Sequence, residues 1–285
     1  MANIRLIRRR IKGVQSTAKI TKAMEMIAAS KMRRAQERGM AGRPYTQKIT
    51  QVISTLASVT QDKSTHPLLK ARDPIKKVAL VHITPDRGLS GGLVSNLNRK
   101  SAAFILEQAL PASVIAVGRK GLEFMRRTSQ NVVAEFTQLG DRPAMVDTLP
   151  ISRIIIDDFI SGKVDAVYIT FARFINTMVQ TPNIIKILPV TPATVEGAAK
   201  SDYIFEPTPD AVLDALLPRF VEMNVYNAIL EAIASEQSAR MIAMRNATEN
   251  ANELIEDLTL VYNKARQESI TTELLDIIGG AAALT

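Results

Sequence analysis

Three groups of residues in this 285-residue chain have types and spacings that suggest chemistry. Gly88, Ser90 and Gly92 spell G-x-S-x-G after a β-branched apolar run, the strand-to-helix setting in which a sharp turn presents a serine for acyl transfer. That chemistry needs a histidine after the serine, and the only two histidines, His66 and His82, both precede it. Gly88, Gly91 and Gly92 loosely resemble a dinucleotide loop, but G-x-G-x-x-G and the Walker A pattern are absent. The glycines read better as a tight turn that lets helix pack on strand. Neither histidine has neighbouring residues that would complete a metal site. Asp157 and Asp158 point to different faces of a predicted helix and read as solvated carboxylates. With no cysteine, disulfides, thiolate metal sites and thiol regulation are excluded. The residues predict no catalytic site, cofactor or metal.

The elements that carry these residues are more informative. A hydrophobic content of 46% supports a folded chain, and no apolar run reaches the roughly 18 residues that span a bilayer. Charge is divided between the ends. Residues 1–48 hold thirteen Lys or Arg against Glu25 and Glu37, a net of +11, whereas residues 202–285 hold five basic and fourteen acidic residues, a net of −9. A basic arm alone suggests nucleic acid, but an acidic complement in the same chain gives that charge an internal use. The Arg-rich N-terminus also has the composition of a mitochondrial transit peptide, although such peptides do not sustain a long heptad.

Both ends carry heptads. From Val212, steps of 4 and 3 reach Leu216, Arg219, Met223, Tyr226, Leu230, Ile233, Gln237, Arg240, Met244, Ala247, Ala251, Leu254, Leu258, Val261 and Ala265, with Arg219, Gln237 and Arg240 as polar breaks. From Ile4, the same count returns Ile7, Ile11, Val14, Ala18, Thr21, Glu25, Ala28, Met32 and Ala35, with a second stripe from Ile20 through Met24 to Ile27. After an interruption at Gly39, Gly42 and Pro44, the first seam resumes at Tyr45, Ile49, Val52, Leu56 and Val59. A spacing of 3.5 keeps one seam on a partner in a left-handed supercoil. The chain geometry and opposite charges predict an antiparallel coiled coil of helices ~80 Å and ~100 Å long. Part of the second helix, down to the tail Gly279–Leu284, then lacks an internal partner and needs another protein to cover it. Pro44 should bend the first helix, and Pro218 puts the start of the second in doubt.

Between the coil helices, Lys77–Thr84, Ser113–Val117, Val132–Phe136, Ala166–Phe171 and Ile184–Val190 read as strands, alternating with helices near 93–109, 118–128 and 147–161. The expected fold is therefore α/β plus a long antiparallel coiled coil: residues 1–60 an N-terminal coil helix, 75–205 a small Rossmann-like α/β domain with a largely parallel sheet, and 209–285 the C-terminal coil helix.

KITKAMEMIAASKM (residues 19–32), ASEQSARMIAMRNAT (234–248) and LVYNKARQESITTEL (260–274) closely resemble the gamma subunits of F-type ATP synthases, as do TPDRGLSGGL and FARFINTMVQ in the middle. The resemblance covers the whole chain in order. It implies a rotating, non-catalytic shaft that couples proton flow through a membrane rotor ring to conformational cycling of catalytic beta subunits. Partners would be the alpha–beta hexamer, the epsilon subunit and the c-ring, with one copy per complex and no nucleotide or nucleic acid bound by this chain. By resemblance, Met24, Gln237, Arg240, Arg266, Gln267, Thr271 and Glu273 would face partner subunits. Leu274, Leu275, Ile277 and Ile278 would run in an apolar bearing, where the absence of directional bonds suits rotation. The cysteine-bearing insert of chloroplast members has no counterpart here. A start at Met1 without a presequence suggests a bacterial protein, peripheral on the cytoplasmic face of the plasma membrane.

Two other readings remain at this level. One is an α/β enzyme with coiled-coil oligomerisation arms, which nucleotide binding by the isolated chain would favour. The other is a nucleic-acid-binding coil using Arg8, Arg9, Arg10, Arg33 and Arg34, which salt-sensitive DNA affinity would favour.

Overall fold

The computed structural model of the chain describes residues 4–59, 66–191 and 206–282. Its elements are α1 (Ile4–Val59), a short 3₁₀ turn (Pro67–Leu69), β1 (Val78–Ile83), α2 (Leu93–Gln108), β2 (Ala112–Val117), α3 (Arg119–Arg127), β3 (Asn131–Phe136), α4 (Met145–Ile160), β4 (Ala166–Phe174), β5 (Gln180–Leu188) and α5 (Pro209–Ala282). They form two compact units, Met1–Ala28 with Met241–Thr285, and Ala29–Arg240. Val59 closes α1 as expected, but its side chain lies outside the described residues, as do Ala283 and Leu284 of the tail.

In the first unit, α1 and α5 pair antiparallel. Thr21 Oγ1 meets Thr248 Oγ1 at 2.7 Å, and four residues later on α1 Glu25 accepts from Arg245 Nε at 3.1 Å, three residues earlier on α5. The predicted α1 seam is the covered one: Ile4, Ile7, Ile11, Val14, Ala18, Thr21, Glu25 and Ala28 are buried or half-buried, and Ile20 and Ile27 of the second stripe are exposed. On α5 the expected phase needs correction. The covered positions are Met241, Met244, Thr248, Ala251, Ile255, Leu258, Tyr262 and Ala265, whereas Leu254 and Val261 are exposed. Every second residue of the expected seam is right, and the alternate ones lie one residue too early. Both phases are apolar enough to repeat every seven residues, so the contact with α1 chooses between them.

In the second unit the sheet order is β3-β2-β1-β4-β5, with β1 to β4 parallel and β5 antiparallel beside β4. Side chains alternate across it. Ala79, Val81, Ile83, Ile115, Val117, Val167, Ile169 and Phe171 join one core with Ile151, Ile155 and Phe159 of α4, Ile49, Ile53 and Leu56 of α1, and Leu213, Leu217, Val221, Val225 and Ile229 of α5. The opposite face takes α2 and α3, where Phe104 packs on Tyr168 at 4.8 Å between ring centroids.

Gly39 and Gly42 do not interrupt the α1 seam. The covered positions continue through Ala35, Gly39, Gly42, Thr46, Ile49, Ile53 and Leu56 in unbroken heptad register, while Tyr45 is exposed. At Gly42 an added Cβ would stand 3.5 Å from Asn227 Oδ1, and Thr46 Oγ1 accepts a hydrogen bond from Asn227 Nδ2 at 3.0 Å. A Cβ at Gly39 would meet nothing within 4 Å and one at Gly42 only the ordinary 3.5 Å contact with Asn227, so the seam tolerates glycine here rather than requiring it. Both prolines lie inside continuous helix. Pro218 is flanked by fully buried Leu217 and Val221, and burying two such side chains contributes ~3–6 kcal/mol, enough to offset a helix-interior proline at ~3 kcal/mol.

Candidate functional site

The serine of G-x-S-x-G is buried and its hydroxyl has no hydrogen-bond partner among the described residues. The upstream His82 is occupied on both ring nitrogens: Nε2 with Asn98 Oδ1 and Nδ1 with Ser101 Oγ, each at 2.9 Å. Because Asn98 Oδ1 only accepts, Nε2 carries the proton and Nδ1 accepts from Ser101, which leaves no free base. Asp157 is exposed, and Asp158 pairs with Lys163 at 2.9 Å. No group of potential metal ligands forms among the described residues. The decoys are thus structural.

What the TPDRGLSGGL loop does is anchor the carboxyl ends of the parallel strands. Asp86 accepts from the backbone N–H of Arg119 and of Gln138, both at 2.9 Å, drawing together the loops after β1, β2 and β3. Beside it lies a cavity of about 50 Å³ lined by Thr84, Asp86, Val117, Phe136, Ile233 and Glu236, room for a few waters and no larger ligand.

The polar breaks of α5 meet these loops. Gln237 is buried and donates from Nε2 to Asp141 Oδ1 at 3.0 Å. Arg240 is largely covered, pairs with Glu236 at 2.7 Å, and donates to the Gly88 and Arg87 carbonyls at 3.2 and 3.4 Å. Burial pushes the Glu236 carboxyl above the usual carboxylate range, against the pull of Arg240, and the charges of Asp141 and Asp86 act in the same direction as burial. Asp141 also takes an ion pair from Lys31 of α1 at 2.7 Å. Sequence reasoning marked Gln237 and Arg240 but missed Asp141, Glu236 and Lys31. Glu236 was legible as the i,i+4 partner of Arg240; Asp141, 96 positions from Gln237, carried no local signal.

The other expected contact residues fall in two places. Met24 is half-buried beside Glu25 in the coil unit. Arg266, Gln267, Thr271 and Glu273 are exposed near the end of α5, where Thr271 Oγ1 donates back to the Gln267 carbonyl and Glu273 accepts from Ser269. Leu274, Leu275, Ile277 and Ile278 are 54–67% exposed, an apolar surface that continues past the last covered seam position.

Within the coil, Glu25 is the polar centre. It accepts from Lys22 Nζ at 3.0 Å and Arg245 Nε at 3.1 Å, and these bonds, that from Lys22 first, hold its carboxyl below the usual carboxylate range against the opposing effect of burial. With the adjacent Thr21–Thr248 pair it forms two polar layers that penalise any slip of register. Glu25→Ala is expected to lower coil stability by about 1 kcal/mol, because the exposed Arg245 can return to water. Thermal melting followed by helix circular dichroism would read this, and an unchanged midpoint would refute it.

The chain matches a family model described as ATP synthase over residues 3–284. It is 63% identical over 285 residues to the "ATP synthase gamma chain" of Dehalococcoides mccartyi, covering all of both chains. The chain belongs to the ATP synthase gamma-chain family. A second member, from Roseiflexus castenholzii, is 50% identical over 287 residues, covering all of this chain and 99% of that one. Among solved structures, the chain is similar to one in the Tetrahymena thermophila mitochondrial ATP synthase central stalk/c-ring, with a TM-score of 0.62 and 25% identity over 80% of this chain and 99% of that one. A chain of the Euglena gracilis mitochondrial ATP synthase shares the fold, with a TM-score of 0.67 and 22% identity over 99% of this chain and 94% of that one. As a gamma-family member the chain is a non-catalytic central-stalk subunit, which accounts for a hydrolase-like motif without a base. No helix among the described residues is long and apolar enough to cross a membrane.

Proposed function

We propose that this chain is the turning shaft of an F-type ATP synthase, carrying torque between a membrane c-ring and the alpha–beta hexamer whose beta subunits make ATP. The observation that carries this reading is the end of α5. Past the last covered seam positions, Leu274, Leu275, Ile277 and Ile278 stay exposed, although an isolated protein gains nothing from presenting them to water. An apolar sleeve in the hexamer would cover them while leaving every angle nearly equal in energy, since apolar contact is non-directional. Met24, Arg266, Gln267, Thr271 and Glu273 are the residues we assign to partner loops, whereas Gln237 and Arg240, also expected there, bind loops of the chain's own sheet domain. The segments 1–60 and 209–285 serve as shaft, and 75–205 as the body that meets the epsilon subunit and the c-ring. The complex sits peripherally on the cytoplasmic face of a bacterial plasma membrane.

Co-expression with alpha and beta subunits tests this. A stable assembly with one copy of this chain per hexamer is expected, and failure to join one refutes the reading. Replacing residues 271–285 is expected to reduce coupling and torque while the sheet unit stays folded. Unchanged assembly, coupling and torque would remove the bearing from the argument.

A further inference from the structure

We infer that the loop between β3 and α4 is the latch by which the sheet domain holds both shaft helices at a set angle, with Asp141 as its positioning residue. This rests on the rotary reading above. The segments of α1 and α5 within Ala29–Arg240 share an apolar core with the sheet, and apolar contact resists separation far better than it resists sliding or twisting. Directional polar ties supply the missing resistance: Glu231, Ser235 and Ser238 bind α5 to β4 and the turn after it, and the β3–α4 loop ties α5 and α1 to each other. Asp141 takes Lys31 of α1 on Oδ2 at 2.7 Å and Gln237 of α5 on Oδ1 at 3.0 Å, so one carboxylate grips both helices at one level.

The loop is itself held at several points. Gln138 N–H is fixed by Asp86 at 2.9 Å, and the Pro143 carbonyl accepts from Tyr226 O–H at 3.5 Å. Tyr226 and Gln237 are eleven residues apart, so the loop lies along roughly 16 Å of α5. Arg240 fastens the neighbouring loop through the Arg87 and Gly88 carbonyls, on the same stretch of α5. The residue types suit a latch: the Lys31–Asp141 pair is partly exposed and modest alone, but Gln237 is buried and has little freedom to move away.

The test uses the full complex with alpha and beta subunits. The hexamer is immobilised, and a rotation probe is attached at Glu107→Cys, an exposed position in a chain without other cysteines. Asp141→Ala is expected to widen the angular spread of the resting probe about two-fold, the scale set by losing a modest ion pair. Exchanging the charges, Lys31→Asp with Asp141→Lys, should restore the spread, because the Gln237 amide offers a lone pair as readily as a donor. Lys163→Ala, which removes an ion pair elsewhere on the domain, should leave it unchanged. If Asp141→Ala fails to assemble, Asp141→Asn keeps the shape and removes only the charge. A spread unchanged at position 141, unrestored by the exchange, or equally widened by Lys163→Ala overturns the latch. An unmodified chain that assembles but never rotates overturns the rotary reading instead.

Discussion

A Gly118→Ala chain is expected to lose on the order of 3–5 kcal/mol of stability, the sum of backbone strain and overpacking. Gly118 adopts φ +95°, and a Cβ there would stand 1.9 Å from the Thr84 carbonyl oxygen and 2.8 Å from its carbon. Backbone cannot yield as a flexible side chain can, because Thr84 N–H is bonded to the Val117 carbonyl at 2.8 Å and Gly118 N–H to the Phe136 carbonyl at 2.8 Å. The position is the crossing point of the three loops that Asp86 gathers, so the loss should reach the Asp141 and Arg240 contacts as well. Gly140 is the control: it has φ +75° but open space around it, so Gly140→Ala should cost only about 1 kcal/mol of strain. Denaturant midpoints of the two variants would decide. Equal losses would mean that backbone conformation alone explains both, and that the contact with Thr84 is relieved at little cost.

Acid is expected to weaken the sheet unit well before it titrates ordinary carboxylates. Burial holds the His82 imidazole down to about 4 from the usual 6.5, with the Asn98 bond only partly opposing it. The unfolded chain binds a proton near 6.5 while the folded one resists until about 4, so the stabilisation is complete above 6.5 and is lost as pH falls toward 4. At 1.36 kcal/mol per unit the loss reaches about 3 kcal/mol. His66 acts in the same direction, its ring held down by burial against the pull of Asp214. Glu236 opposes both: its raised carboxyl favours the folded state at low pH and loses that contribution as pH rises through its folded value. Glu25 and Asp165, both held low chiefly by hydrogen bonds, add their losses as pH falls from the ordinary carboxylate values down through their folded ones. Stability measured from pH 7 to 4.5 should therefore fall in the intact chain and flatten in His82→Gln. A slope that survives the substitution would assign the acid sensitivity to another group.

The heptads show how far the residues alone could be read. A seven-residue repeat is a local property, and the α1 seam from Ile4 to Ala28 is covered as its spacing predicts. The strand and helix alternation in the middle was equally legible, because parallel strands buried on both faces read as β-branched runs, and β1 is buried at all six positions. The phase of α5 was not legible, since Leu254 and Val261 are as apolar as Ile255 and Tyr262. Gly39 and Gly42 looked like breaks because helix propensity counts the missing side chain locally, whereas the buried Ala35, Ile49, Ile53 and Leu56 on either side hold the helix through them.

The candidate site divided in the same way. Arg266, Gln267, Thr271, Glu273 and the apolar end of α5 were named from family resemblance to quoted motifs, and they lie on the exposed part of the helix. Gln237 and Arg240 were marked as odd by their place in the seam, and the family resemblance suggested that they faced partner subunits. They turn inward because Asp141 and the Arg87 and Gly88 carbonyls wait for them, on loops about 100 and 150 positions away. Period, charge balance and chain order follow from neighbours along the chain, so the amino-acid sequence settles the coiled-coil ends, the α/β centre and the family. Register, the direction of each polar side chain, and the convergence of three loops on Gly118 depend on which distant backbone arrives beside them, and only folding brings that backbone into place.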